Sequence, residues 1–209
     1  MSTARAIRRF TELPVDDDVL LRCIEAASWG SPGDDEQPWR FVIMKSPESR
    51  RALAAGAEQA VQAIEPQFLA ERPDADDMSM RARTTRAIFE LHDNAANVPA
   101  AVLFCVKGTH SPQSVMRGEF VYPALQNFLL TARATGLGAV VTGWDVPAEF
   151  TLRETIGIPD DWSLAALVAV GWTRGRHGPR RRRPVADVTA VDRWDQPAKT
   201  LVSGTPASR

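Results

Sequence analysis

The stretch AAVLFCV, residues 100–106, has no charged residue and no turn residue. A strand that is apolar at every position leaves no face for water, so it must lie in a sheet with material packed on both sides. Three further apolar runs read as strands: FVIM at 41–44, GAVVTGW from Gly138 and LAALVAVGW from Leu164. Helical spacing fills the gaps between them. Asp16, Asp17 and Asp18 precede Val19, Leu20, Cys23, Ile24 and Ala27, which predicts a helix with carboxylates at its positive end and a stop near Gly30. Pro47 and Glu48 open a second helix that is expected to end about Ile64, before Pro66. A polar loop at 72–79 leads to a helix from about Met80 to Asn94. Val121, Ala124, Leu125, Phe128, Leu129 and Ala132 recur at i, i+3, i+4 spacing, so Glu119–Thr135 carries the strongest helical pattern, closed by Gly136. Pro147–Ile156 is the last helix. The alternation predicts one domain over residues 1–209, with an extended arm over about 184–209 where periodicity has vanished.

Charge and cysteine usage narrow the classes of function. Twenty-five basic against 26 acidic residues leave a net charge of -1, so no global field draws the chain to nucleic acid or anionic lipid. No zinc finger, RNP sequence or apolar run of about 20 residues is present, so neither nucleic acid nor membrane is an expected partner. Two cysteines, Cys23 and Cys105, are too few to staple such a chain and lack metal-ligand spacing, which suits a reducing cytoplasm and predicts no metal. His92, His110 and His177 fall in separate segments with no ligand spacing. A nucleophile elbow, a P-loop and a dinucleotide fingerprint are all missing, and the Gly136–Gly138 stretch runs from helix to strand, the reverse of that fingerprint's order.

Two features remain. Arginines gather at both ends of the chain: Arg5, Arg8 and Arg9, then Arg174, Arg176 and Arg180 to Arg183. They could be two solvated basic tails or one local phosphate pocket, since guanidinium forks pair with phosphate oxygens. The loop from Ser31 to Trp39 places Gly33, three acids and Pro38 between two well-formed elements, the kind of position that often holds function.

Several blocks in fixed order resemble the FMN-dependent nitroreductase family: RAIRRF at 5–10, SPGDDEQPWRFVIM, YPALQNFLLTARATGLGAVVTGW at 122–144, IPDDWSLAALVAVGW and PRRRRPVADV, together spanning residues 5 to 188. The resemblance implies an α+β fold with a mixed central sheet flanked by helices, a homodimer with a C-terminal arm, and FMN at the subunit interface. By match to the motifs, Arg5, Ala6 and Arg8 would lie against the FMN phosphate or the flavin pyrimidine edge, with Arg180 and Arg182 at the phosphate. Ser31, Pro32 and Asp35 occupy the matching loop, and Thr142 and Gly143 match the place where a backbone N–H meets flavin N5. Trp144 would wall the substrate pocket, whereas Trp39, Trp162 and Trp172 match core positions. No side chain is implied as catalytic, because the flavin carries the chemistry. Ala4 and Ala6 stand where the family has Arg and Ser, and Pro32 and Asp35 where it has Ser and Asn. These departures bear on donor and acceptor rather than on fold. The implied activity is ping-pong hydride transfer from NADH or NADPH to a nitroaromatic, quinone or other conjugated acceptor. A specialised flavin dehydrogenase or dehalogenase, or a non-catalytic flavin-binding protein, is the alternative.

Overall fold

A computed structural model describes residues 1–31, 36–68, 72–108 and 114–196, with the side chains of 64–68 and 114–119 outside the description. Pro32 and Asp35 therefore lie outside the described residues, as do His110 and much of the 108–116 segment. The elements run α1 (Asp17–Ser28), β1 (Trp39–Met44), α2 (Pro47–Phe68), α3 (Met80–Asp93), β2 (Ala100–Lys107), α4 (Ser114–Ala134), β3 (Leu137–Thr142), α5 (Glu149–Ile156) and β4 (Trp162–Trp172). Two compact units divide the chain: Met1 with Thr3–His177, and Ser2 with Gly178–Arg209. In the second unit, a short 3-10 turn at Val185–Asp187 is the regular element among the described residues.

The fold class is α+β, as expected. The four strands lie in the order β1-β2-β4-β3 and pair antiparallel throughout. Parallel pairing is confined to an isolated bridge between Ala6 and Ala139. β2 is buried along AAVLFCV, and its alternating side chains divide between two cores. Ala100, Val102, Phe104 and Val106 join α1 and α4 on one face, while Ala101, Leu103 and Cys105 join α2 and α5 on the other. Each fully buried Leu, Val or Phe contributes about 1.5–3 kcal/mol, so the doubly covered β2 and β4 are the most costly strands to disturb.

Local chemistry explains most boundaries. Ser79 caps α3 by accepting from the Ala82 N–H at 3.1 Å. Gly157 closes α5 in the left-handed region at φ 71°, where an L side chain is strained. Two expectations fail. α2 continues past Ile64 to Phe68, so Pro66 gives up one N–H bond inside the final turn without ending the helix. α4 begins at Ser114, about a turn earlier than Glu119, and keeps Pro123 inside it.

The N-terminal segment is fastened to β3 and to the chain just beyond β4. Ile7 N–H donates to Ala139 O at 3.1 Å, Thr11 N–H to Trp172 O at 2.9 Å, and Arg174 N–H to Arg9 O at 3.0 Å. Gly138 and Gly171 face one another across β3 and β4. A Cβ on Gly138 would sit 2.5 Å from Ile7 Cγ2, and one on Gly171 would sit 2.8 Å from Pro99 and 3.0 Å from Phe10. The segment thus packs into space that only paired glycines leave.

α1 and α4 meet as closely elsewhere, since a Cβ on Gly30 would lie 2.7 Å from the Ala124 backbone nitrogen. Gly30→Ala is expected to cost about 1–3 kcal/mol by overpacking against backbone that cannot swing away. Gly178→Ala, which meets nothing within 4 Å, is the control. Thermal unfolding of the two variants checks the difference.

Candidate functional site

The segment that packs over Gly138 delivers two adjacent arginines to different fates. Arg9 Nε donates to Glu90 Oε2 at 2.6 Å, and Arg174 donates to the other oxygen of the same carboxylate, so Glu90 ties the N-terminal segment, α3 and the end of β4 together. Arg8 is half-buried, and among the described residues nothing accepts from its guanidinium. Burial alone pulls its pKa below the usual arginine value. A guanidinium does not give up its proton, so that desolvation cost asks for an anion or an aligned acceptor instead.

Arg8 lines a cavity of about 510 Å³ shared with Arg9, Thr11, Arg50, Glu90 and Arg174. Arg50 spends its donors on the carbonyls of Lys45, Ala96, Val98 and Pro99. Thr11 Oγ1 is buried with no hydrogen-bond partner among the described residues. The cavity therefore holds an uncommitted cation and an orphan hydroxyl among arginines already occupied.

After the Ala6–Ala139 bridge the segment runs to the Leu137 end of β3, since Phe10 bridges Thr173 and Trp172 pairs with Leu137, while Thr142 and Gly143 lie at the other end of the strand. Thr142 Oγ1 donates to Leu167 O at 3.2 Å, which turns its side chain back onto the sheet. Gly143 is exposed, and a Cβ there would have no atom within 4 Å, so the backbone at this point is open to close approach. The next side chain corrects an expectation: Trp144 is 1% exposed and packs in the core beside α2 and α5, so its indole offers no face to a substrate.

What the indole meets instead is His92, which motif spacing left without a role. Trp144 Nε1–H donates to His92 Nε2 at 3.4 Å, and the rings stand edge to face with centroids 5.5 Å apart. The other ring nitrogen, Nδ1, lies 3.3 Å from Ala57 O on α2. An indole N–H can only donate and a carbonyl can only accept, so the proton is on Nδ1 and the ring is neutral. Burial lowers the His92 pKa most, the Ala57 hydrogen bond and then Asp93 pull it back up in part, and the Arg8 cation adds the smallest, downward, effect. Asp145, next along the chain, is a buried carboxyl held above the usual range by burial and by repulsion from Glu149.

The remaining sequence-stretch candidates scatter. Ser31 is exposed after α1, and Ala6 is exposed beside β3. Arg5 acts on His177, whose pKa is lowered by burial first and then by Arg5 and Arg133. Arg180 and Arg182 are exposed in the second unit. Among the described residues no group of His, Cys, Asp or Glu could hold a metal ion, and no helix is long and apolar enough to cross a membrane. Sequence spacing could not have found His92 or Glu90, because their partners come from α2, from the loop after β3 and from both flanks of the sheet.

Comparison with known proteins gives these features a context. The profile of the Nitroreductase family matches residues 1–172. An NADH dehydrogenase of Thermus thermophilus is 28% identical over 188 residues, covering 88% of this chain and 90% of that protein. A 5,6-dimethylbenzimidazole synthase of Rhodospirillum rubrum is 27% identical over 184 residues, covering 83% of this chain and 80% of the other. Among solved structures, a nitroreductase of Desulfovibrio desulfuricans in complex with FMN superposes with a TM-score of 0.65 at 23% identity, covering 92% of this chain and 94% of that one.

The two thiols are set apart from all this. Cys23 and Cys105 are both buried, and burial pushes the Cys105 pKa up to about 11. Both should resist a thiol-specific chromogenic reagent in the native protein near neutral pH and react in denaturant; native labelling of either one contradicts the packing. Glu90→Gln should remove two partly solvated ion pairs, costing about 0.5–1 kcal/mol in low salt and less as salt rises, as read by thermal unfolding.

Proposed function

The chain belongs to the nitroreductase family, and on that premise we propose that it is an FMN-dependent oxidoreductase using NADH or NADPH to reduce a nitroaromatic, quinone or other conjugated acceptor. The observation that carries this reading is Arg8: a half-buried guanidinium with no hydrogen-bonding partner among the described residues, lining a cavity of about 510 Å³. A desolvated cation fits a phosphate or the acceptor-rich edge of a flavin, and the open backbone at Gly143 would allow close approach of a flat ring. When bound, FMN supplies the hydride chemistry, taken from a reduced nicotinamide and passed on in a separate half-reaction.

The chain's own residues bind and orient. Arg8 would donate to the pyrimidine edge, where a charge-assisted hydrogen bond gains more than a neutral one because the guanidinium is already desolvated. Thr142 and Gly143 would present backbone N–H groups to the ring, with the Thr142 side chain tied back to Leu167 and out of the way. Arg5 and Ala6, together with Ser31, Pro32 and Asp35, are assigned to the cofactor by motif. Arg180 and Arg182 are assigned as phosphate ligands on the same ground. Large apolar side chains exposed on α1 and α4 or at their ends, Leu21, Trp29 and Tyr122, support a homodimer.

A second reading shares the cofactor and changes the acceptor. It is favoured by the similarity to 5,6-dimethylbenzimidazole synthase, which is about as strong as that to the NADH dehydrogenase. Rapid mixing of the flavin-loaded protein with NADH or NADPH separates the two: bleaching by either supports the nicotinamide-linked enzyme, and bleaching by neither favours the specialised one.

Purified protein should be yellow, or should take up added FMN. Arg8→Ala should weaken FMN binding about tenfold to a hundredfold, corresponding to the ~1.5–3 kcal/mol of a charge-assisted hydrogen bond. Colourless protein that fails to bind FMN in equilibrium titration overturns the proposal.

A further inference from the structure

We infer that His92 is a positioning residue for the loop that begins at Thr142: its neutral ring holds the Trp144 indole in place, and protonation of that ring releases the loop. The inference rests on the FMN reading above and extends it to a pH-dependent control of the site.

The geometry makes His92 a two-sided clamp. Nδ1 is held by the Ala57 carbonyl of α2, and Nε2 accepts from Trp144, so one ring spans from α2 to the loop after β3. Trp144 has little freedom of its own. Its indole is 1% exposed, and its backbone carbonyl accepts from the Ala148 N–H at 3.3 Å. A Cβ on Gly56 would lie 3.1 Å from that carbonyl, so α2 presses close on the same residue. An indole packed this way cannot turn to water when its acceptor is lost, and the displacement passes to Gly143 and Thr142.

Protonation removes that acceptor. Nε2 would then carry a hydrogen aimed at the indole hydrogen, replacing a hydrogen bond with a donor facing a donor. The charged groups that act on the ring are Arg8 from the N-terminal segment, which opposes its protonation, and Asp93 on α3, which favours it. Asp93 is already paired with Arg72 through two 2.8 Å hydrogen bonds. Ala57 and Trp144 contribute only a carbonyl and an indole. With burial opposing the charge as well, His92 stays neutral through the physiological range and gains its proton only below the ordinary imidazole pKa.

Two measurements on the full chain test this. In protein labelled with nitrogen-15 at tryptophan, the Trp144 indole N–H resonance, assigned through Trp144→Phe, should titrate with a single midpoint below about pH 6.5 without any flavin present. His92→Gln, whose amide oxygen can accept the indole proton at every pH, should abolish that titration. FMN affinity, measured by quenching of flavin fluorescence, should weaken about tenfold more between about pH 8 and pH 5.5 in the natural protein than in His92→Gln. The titration of the FMN phosphate is common to both proteins and cancels in that comparison. A Trp144 resonance that ignores pH, or FMN binding with parallel pH profiles in the two proteins, overturns the inference while leaving the cofactor reading standing. Failure of both proteins to take up FMN at about pH 8 sinks the cofactor reading, and this inference falls with it.

Discussion

Two glycines facing each other across β3 and β4 set the height at which the N-terminal segment crosses the sheet. With no side chains at Gly138 and Gly171, Ile7 and Phe10 sink to within van der Waals range of the strand backbones, and backbone hydrogen bonds at Ile7, Thr11 and Arg174 hold them there. The strands beneath cannot yield, because the sheet is packed on both faces and interiors at crystal-like density transmit displacement rather than absorb it. Arg8 thereby inherits the rigidity of the core although it belongs to a segment with almost no regular structure of its own.

The electrostatics of the site follow from which charges the fold neutralises. Arg9, Arg174 and Glu90 close a network of two guanidiniums on one carboxylate, and Arg50 saturates itself on four carbonyls. Among the described residues nothing accepts from Arg8, so its desolvation goes uncompensated there, an arrangement that costs stability. The same low-dielectric surroundings keep His92 neutral, hold the Asp145 carboxyl above its usual range and push both thiols up. The buried thiols are far from being nucleophiles.

Much of this was legible residue by residue. The apolar run at 100–106 implied a strand covered on both faces, and β2 is that strand. The i, i+3, i+4 recurrence from Val121 to Ala132 implied a helix with one buried stripe, and α4 buries Val121, Ala124, Leu125, Phe128 and Ala132. Boundaries were less legible. Pro66 reads as a stop, yet α2 runs through it to Phe68 at the loss of one N–H bond. Trp144 reads as a pocket wall because it follows Thr142 and Gly143, the place matched to flavin N5, but an indole's large apolar area was better satisfied in the core, with one N–H to place on His92.

The sequence by itself determined the kinds of element, their order and the family to which the chain belongs, because apolar spacing, caps and short motifs act over a few residues and are written contiguously. Only the tertiary structure decided that β2 and β4 are the inner strands, that all four strands pair antiparallel, that Arg9 pairs with Glu90 while its neighbour Arg8 finds no acceptor among the described residues, and that an indole meets an imidazole 52 residues away in the chain. Those outcomes depend on which buried surfaces and polar groups find one another across the whole chain, and that competition has no local signature.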